Sequence, residues 1–268
     1  MVQLLSAVSG SALGGRISFD VEHEGTCALC LRSRKLVKGH VIPRYCGKFL
    51  RSDTHGAPPQ MVQVVFGKRP SYSSRTQSTR WNYFLCQECD GDIIGSHETY
   101  FSRAWTPGLF PAPVLTDAVV IPGFDYAHFK LLHLAVLWKN AASHAMSPTD
   151  LGPYYEEIRR MLLEGDPGPP EDFAVWGSLL LEDDRTVNWQ QAGPPMPHGG
   201  AEKTWHPPSF FQTWYCGAAW HVCVPESGDV EGPVIIRPAS SLTLLASLWK
   251  EMPVARALAK KWKADGLS

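Results

Sequence analysis

The chain has 268 residues, an apolar fraction of 44 % and a formal net charge of −1. This length and composition are enough for one large or two small globular domains with a buried core, and a chain so close to neutral is not a globally basic nucleic-acid binder. Because no run of about 18 apolar residues occurs, we predict no membrane-spanning helix and no membrane partner.

The composition changes along the chain and divides it into four predicted segments. Residues 1–26 form a leader without the basic start of a signal peptide. Residues 27–105 form a cysteine-rich domain, and residues 106–170 form a helical segment that we expect to pack on it. Residues 171–268 form an α+β region, which is a candidate docking or sensing domain.

Hydrophobic periodicity predicts both helices and strands. Apolar residues at helical spacing indicate one helix over residues 126–145 and a second over residues 152–164, which Gly-Asp-Pro terminates. Runs of β-branched and aromatic residues indicate strands. The predicted strands cover residues 61–66, 175–181, 214–224 and 234–237, and a last predicted helix covers residues 241–265. The predicted fold class is α+β, with a small antiparallel β region near the C-terminus.

The cysteine-rich segment is basic. Residues 27–105 contain 12 Lys and Arg against 5 Asp and Glu, an excess of seven positive charges in a chain whose net charge is −1. Such asymmetry favours contact with an anionic partner. The alternative is an ordinary solvated basic surface.

Two Cys-x-x-Cys pairs are the most specific motif in the sequence, and 55 residues separate them. In such a pair the backbone folds into a tight knuckle that turns both sulfurs onto one ion, and zinc prefers four such ligands in a tetrahedron. We therefore predict that Cys27, Cys30, Cys86 and Cys89 bind one structural Zn²⁺, whose binding energy becomes folding energy. The alternative is two unrelated buried or redox-active pairs.

The other three cysteines, Cys46, Cys216 and Cys223, have no partner at metal-binding spacing. We expect them to be small core residues. Seven cysteines is an odd number, and four of them in knuckle pairs fit metal-bound thiolates in the cytoplasm better than a disulfide framework.

A short motif around His40 lies between the knuckles. Gly-His-Val-Ile-Pro at residues 39–43 follows the first knuckle, and Asp90 follows the second knuckle directly. This pattern resembles the HNH nucleases, which are the ββα-metal or His-Me finger enzymes. It resembles in particular a group of bacterial HNH-like zinc-knuckle proteins with a Ser-His-Ile-Ile-Pro-Lys-type motif. The resemblance extends over residues 27–170, and it implies a zinc-knuckle-braced ββα-metal core followed by helices.

The resemblance implies a metal-dependent endonuclease that hydrolyses nucleic-acid phosphodiesters, with DNA favoured. His40 would be the general base that takes a proton from the attacking water. Asp90 would be the first ligand of a catalytic Mg²⁺ or Mn²⁺, since these ions prefer oxygen ligands. Glu98 or His97 would add a second ligand or an outer contact.

Three arginines are candidates for binding the substrate's phosphates: Arg44, Arg75 and Arg80. Such contacts give affinity without sequence preference. The sequence departs from the HNH pattern at Gly39, where these enzymes usually have an acidic metal ligand. Asn82 stands one residue away from the usual place of the asparagine that orients the histidine.

Two other functions remain open at this stage. The first is a catalytically inactive, zinc-stabilised module that binds nucleic acid or protein, which Gly39 favours. The second is a nuclease restrained by its C-terminal region until a protein partner or activating subunit binds, as in the effector of a bacterial antiviral defence system. This second idea is an analogy at the level of the fold.

Overall fold

A computed structural model describes the chain over residues 23–49, 61–65, 71–76, 81–143, 149–190, 192–198, 210–225, 235–238, 241–252 and 256. The predicted leader therefore lies outside the described residues as far as residue 22. Its last four residues form the first strand, β1 (His23–Thr26).

The cysteine-rich segment contains a three-stranded antiparallel sheet in the order β1-β2-β5. Strand β2 runs over Ser33–His40 and strand β5 over Trp81–Cys86. Between them lies a separate hairpin of β3 (Met61–Val65) and β4 (Ser71–Thr76). The predicted strand at residues 61–66 is thereby confirmed.

Helical structure begins directly after β5. A π-helical segment over Glu88–Ile94 continues into α1 (Gly95–Ala104), and α2 (Tyr126–Ser143) and α3 (Tyr154–Glu164) follow. Both helices predicted for this part of the chain are confirmed. Helix α3 ends at Gly165, whose φ of +69° is a left-handed conformation that glycine adopts at little cost. None of the described helices is both long enough and apolar enough to cross a bilayer.

Six strands form the second sheet. They are β6 (Ala118–Ile121), β7 (Val175–Leu181), β8 (Gly193–His198), β9 (Phe210–Tyr215), β10 (Ala218–Cys223) and β11 (Leu242–Leu248). The order across the sheet is β6-β11-β7-β10-β9-β8, and the β11–β7 pair is parallel. The prediction of a small antiparallel region is therefore corrected: the sheet is mixed, and it recruits β6 from the segment that precedes α2.

Three local predictions in this region are wrong. Residues 214–224 form parts of two strands, because Cys216 and Gly217, with φ of +52° and +80°, make a tight turn between β9 and β10. Residues 235–238 are not a strand. The predicted helix over residues 241–265 is wrong over residues 241–252, where strand β11 and a short 3₁₀ turn over Trp249–Glu251 replace it, while Arg256 is helical.

One buried cluster of apolar side chains extends through both sheets and the helices. Helix α2 lies within it, since it contacts β5 of the first sheet and β8 and β10 of the second. Aromatic rings meet at its centre, where the ring centroids of Trp105 and Trp220 are 5.0 Å apart and those of Phe129 and Trp220 are 5.3 Å apart. The helix is apolar on nearly every side because protein surrounds it.

A disulfide joins Cys46, in the 3₁₀ turn after β2, to Cys216 in the β9–β10 turn. Both cysteines are core residues, as predicted, but their pairing corrects the expectation that the cysteines of this chain do not form disulfides. Trp105 strengthens the same junction, because its Nε1 donates to the carbonyl oxygen of Cys216 at 2.8 Å. Cys223 is buried, as predicted.

Candidate metal centre and active-site cleft

The two knuckles meet at one end of the first sheet. Cys27 and Cys30 lie in the turn between β1 and β2, Cys86 is the last residue of β5, and Cys89 lies in the π-helical segment. Their four sulfur atoms all lie within 4.8 Å of one another, and the sulfurs of Cys30 and Cys86 are 4.0 Å apart. A tetrahedral zinc ion with Zn–S bonds of about 2.3 Å needs sulfurs about 3.8 Å apart. The geometry fits.

The surroundings of the sulfurs also favour a cation. Three of the four cysteines are buried, and the backbone N–H of Cys86 donates to the sulfur of Cys27 at 3.3 Å. Burial raises the pKa of the Cys89 thiol, and the neighbouring sulfurs raise it further. Thiolates packed this closely need a positive ion between them. The cluster could therefore hold a metal ion such as zinc, and its four ligands leave no open position for chemistry.

A cleft of about 640 Å³ opens beside the metal centre. It brings together residues from β2, the turn after β2, the π-helical segment and α1. The charged and polar side chains that line it include Lys38, His40, Arg44, Tyr45, Asp90 and Glu98. Four residues singled out in the sequence, His40, Arg44, Asp90 and Glu98, thus share one cavity.

The metal centre explains how these residues come together. His40 ends β2, and Asp90 directly follows the ligand Cys89. Glu98 lies one turn into α1, the helix that continues from the same segment. Because Cys30 precedes β2 and Cys89 starts the helical part, a bound ion would fix the strand and the helix against each other.

The predicted site residue His97 and the nearby Asn82 do not line the cleft. Nδ1 of His97 is 2.9 Å from Nδ1 of His128 on α2, and burial, followed by the neighbouring His128, lowers the pKa of His97 to about 4. Asn82 is anchored elsewhere, since its Nδ2 donates to the carbonyl oxygen of Ser143 at 2.7 Å. Arg75 belongs to strand β4, and Arg80 lies outside the described residues.

Gly39 leaves space that the Asp90 carboxylate uses. A Cβ atom on residue 39 would lie 3.3 Å from Oδ1 of Asp90 and 2.8 Å from Cε1 of Phe84. The acidic side chain that the HNH resemblance leads one to expect at residue 39 therefore has no room. The carboxylate of Asp90, which comes from the helical segment, lies where that side chain would begin.

This crowding gives a stability prediction. We expect Gly39→Ala to lower the free energy of unfolding by about 1–3 kcal/mol, because the added methyl group overlaps a packed ring. Without that contact, alanine in a strand would be neutral or slightly stabilising. Gly108→Ala is the matched control, since a Cβ there meets nothing within 4 Å. Urea unfolding of both variants checks the prediction, and equal stability of Gly39→Ala and wild type would contradict it.

Burial and charge set the ionisation of the cleft residues. Burial lowers the pKa of His40, and the cation of Lys139 adds to this effect while Glu98 opposes it. Burial raises the pKa of Asp90, with Lys139 acting in the opposite direction and Glu98 in the same direction. The imidazole of His40 is therefore neutral at pH 7, which is the form that accepts a proton.

Lys139 is the functional candidate that the sequence did not reveal. It lies on α2 with 1 % of its surface exposed, and its Nζ is 2.5 Å from Oε1 of Glu98. The one available signal was a lysine within an otherwise apolar helical run, which alone does not distinguish a buried cation from a surface one.

Comparison with known proteins adds no relatives: no protein-family model, curated protein or solved structure matches this chain.

Proposed function

We propose that this chain is a metal-dependent endonuclease of the HNH type, acting on nucleic-acid phosphodiesters with DNA favoured. The observation that carries the proposal is the shared cleft of His40, Asp90 and Glu98, with Lys38 and Arg44 exposed at its rim. The order of β2, β5 and α1 beside the four-cysteine cluster supports the ββα-metal core that the sequence resemblance implies.

His40 is the general base in this proposal. Its imidazole is half-buried, and burial and the nearby cations keep it neutral. A neutral imidazole can take a proton from a water molecule in the cleft, and the resulting hydroxide attacks the phosphorus. The exposed side chains of Lys38 and Arg44 bind the non-bridging phosphate oxygens on either side of the scissile bond.

Asp90 and Glu98 are the residues that would hold a divalent cation. Mg²⁺ is commonly bound by one or two carboxylates together with substrate phosphates and water, so two carboxylates facing one cleft suit it. When bound, such a cation stabilises negative charge on the leaving oxygen. Across the described residues, no group of three or more metal-binding side chains other than the four cysteines converges, so phosphate oxygens and water would supply the remaining ligands.

The test is cleavage of plasmid and single-stranded DNA by the full, zinc-loaded chain in Mg²⁺, in Mn²⁺ or without an added divalent cation. We expect metal-dependent cleavage by wild type and a loss of about 10²–10⁴-fold in His40→Ala, the range that a general base contributes. His23→Ala is the control, because this histidine stacks on Tyr83 outside the cleft and its loss should leave the rate unchanged.

Zinc content and thermal unfolding are measured on each variant, so that loss of activity is separated from loss of folding. If folded His40→Ala cut DNA as fast as wild type, His40 would not be the base. If folded, zinc-loaded wild type cut nothing, the nuclease proposal would stand only for a form activated by a protein partner, such as a defence-system subunit. Cleavage that stays absent with every candidate partner rejects it.

A second function is a zinc-stabilised nucleic-acid-binding module without chemistry. The observation in its favour is the ion pair of Lys139 and Glu98, which already compensates one of the two cleft carboxylates. Such a module would bind DNA equally well with Mg²⁺ and without an added divalent cation, and would depend on Lys38 and Arg44 but not on His40. Fluorescence anisotropy with a labelled oligonucleotide separates the two functions.

A further inference from the structure

Helix α2 carries two buried lysines, Lys130 and Lys139, each with 1 % of its surface exposed. A buried ammonium group is costly unless acceptors or a negative charge surround it. Nζ of Lys130 donates to the carbonyl oxygens of Asp172 at 2.5 Å and Pro169 at 2.6 Å, beyond the residues that line the cleft. These two carbonyl oxygens therefore compensate the buried ammonium group of Lys130.

Lys139 has a different partner. Its Nζ lies 2.5 Å from Oε1 of Glu98, whose side chain is 26 % exposed and lines the cleft. Lys139 itself is buried and is not among the lining residues, so the carboxylate lies between the ammonium group and the cleft. The charge of Lys139 also acts on the other two central residues, His40 and Asp90.

The cleft therefore has an unusual charge balance for a site that takes a divalent cation. Two carboxylates, Asp90 and Glu98, are matched by two cationic side chains, Arg44 and Lys139. A free divalent cation meets no net negative charge from these four groups and binds weakly. A phosphodiester in the cleft supplies the missing negative charge and an additional oxygen ligand.

We propose that Lys139 is a positioning residue that holds Glu98 in the cleft and, by offsetting its charge, makes tight binding of a divalent cation depend on an anionic nucleic-acid ligand. This inference rests on the proposed function. Cation and nucleic acid then strengthen each other's binding, since coupling between two ligands is reciprocal.

The experiment is a titration of the full, zinc-loaded chain with Mn²⁺, followed by the electron paramagnetic resonance signal of free Mn²⁺. Lys139→Gln removes the charge while its amide can still donate to Glu98. We expect this variant to bind Mn²⁺ alone about tenfold more tightly than wild type, the effect of removing one nearby like charge. Lys139→Arg keeps the charge and should keep the wild-type Kd to within about twofold.

Lys130→Met is the matched control, because it removes a buried ammonium group from the same helix without changing the cleft. Its Kd for Mn²⁺ should equal that of wild type. A hydrolysis-resistant phosphorothioate oligonucleotide is then added. It should tighten Mn²⁺ binding by wild type more than by Lys139→Gln, because in the variant the competing charge is already gone.

The proposal is overturned if folded Lys139→Gln binds Mn²⁺ with the same Kd as wild type or with a higher one. It is also overturned if no variant binds Mn²⁺. If Lys139→Gln does not fold, Lys139→Met replaces it with the same expected result, and the phosphorothioate effect on wild type remains a test by itself. The proposed function fails separately: a chain that shows these Mn²⁺ affinities but cuts no DNA, alone or with any candidate partner, keeps the inference and loses the nuclease. If the chain cuts DNA but Lys139→Gln binds Mn²⁺ with the wild-type Kd, the nuclease proposal is kept and the inference about Lys139 is lost.

Discussion

Cys27→Ser is expected to lose the bound zinc and the cooperative unfolding transition. Cys27 is fully buried, and its sulfur accepts the backbone N–H of Cys86, so the change affects one ligand and the contact between the two knuckles. Structural zinc contributes about 10–16 kcal/mol in small zinc-binding domains, whereas a whole domain is stable by about 5–15 kcal/mol. Loss of the ion therefore removes most or all of the stability of the segment it joins.

The measurement is the zinc content per chain, together with near-ultraviolet circular dichroism and thermal unfolding. Wild type should carry one zinc ion, and a strong chelator should reproduce the effect of Cys27→Ser. Cys223→Ala is the control, since it removes a buried cysteine outside the cluster and should keep both zinc and the transition. Zinc-free wild type that melts like the zinc-loaded protein would show that the four cysteines are not a folding site.

Local patterns were sufficient for the metal centre and for two helices. The Cys-x-x-Cys spacing predicts the local backbone geometry, because a knuckle turns the sulfurs of two cysteines with two residues between them onto one ion. Helix α3 likewise shows its buried face and its glycine stop within 12 residues, from Tyr154 to Gly165. Features of this kind need no information from distant parts of the chain.

The second sheet could not be predicted in the same way. Residues 242–248 are apolar at a spacing that suits either a helix or a strand, and what decides is their position between β6 and β7. The β9–β10 turn is hidden within a continuous apolar run, because Cys216 adopts a left-handed conformation that usually needs glycine or asparagine. Its bond to Cys46, across 170 residues, has no local signature.

The cleft contains residues that a local motif predicts and is influenced by one that only the tertiary structure reveals. His40 was found through the Gly-His-Val-Ile-Pro motif after the first knuckle, and Asp90 because it directly follows the second. Lys139 belongs to α2, which contacts the first sheet only through tertiary packing. The lysine that pairs with Glu98 is therefore one that a motif search cannot identify.

A second large effect is expected from acidification, through His133 at the centre of the core. This side chain is 1 % exposed, the hydroxyl of Tyr215 is hydrogen-bonded to its Nδ1, and no described group pairs with its Nε2. Burial lowers the pKa of His133 to about 3 from an ordinary value of 6.5. Protonation would put a charge and an unpaired N–H among the rings of Phe129 and Trp220.

The sign follows from proton binding. Between pH 6.5 and pH 3 the unfolded chain binds a proton at His133 that the folded chain does not, so the free energy of unfolding falls as the pH falls, by about 1.4 kcal/mol per pH unit. The stability contributed by neutral His133 is complete above pH 6.5, about 2 kcal/mol of it is lost by pH 5, and about 4–5 kcal/mol is lost by pH 3.

His133→Leu isolates this contribution. At pH 7 we expect the variant to be less stable than wild type by about 1–3 kcal/mol, because the hydroxyl of Tyr215 loses its partner. Since leucine does not titrate, the difference should shrink by about 2 kcal/mol between pH 6.5 and pH 5. Urea unfolding followed by tryptophan fluorescence, with zinc in excess so that acid does not empty the cysteine cluster, measures both. Parallel stability curves for the two proteins across this range would mean that folding does not change the pKa of His133, which would contradict its burial.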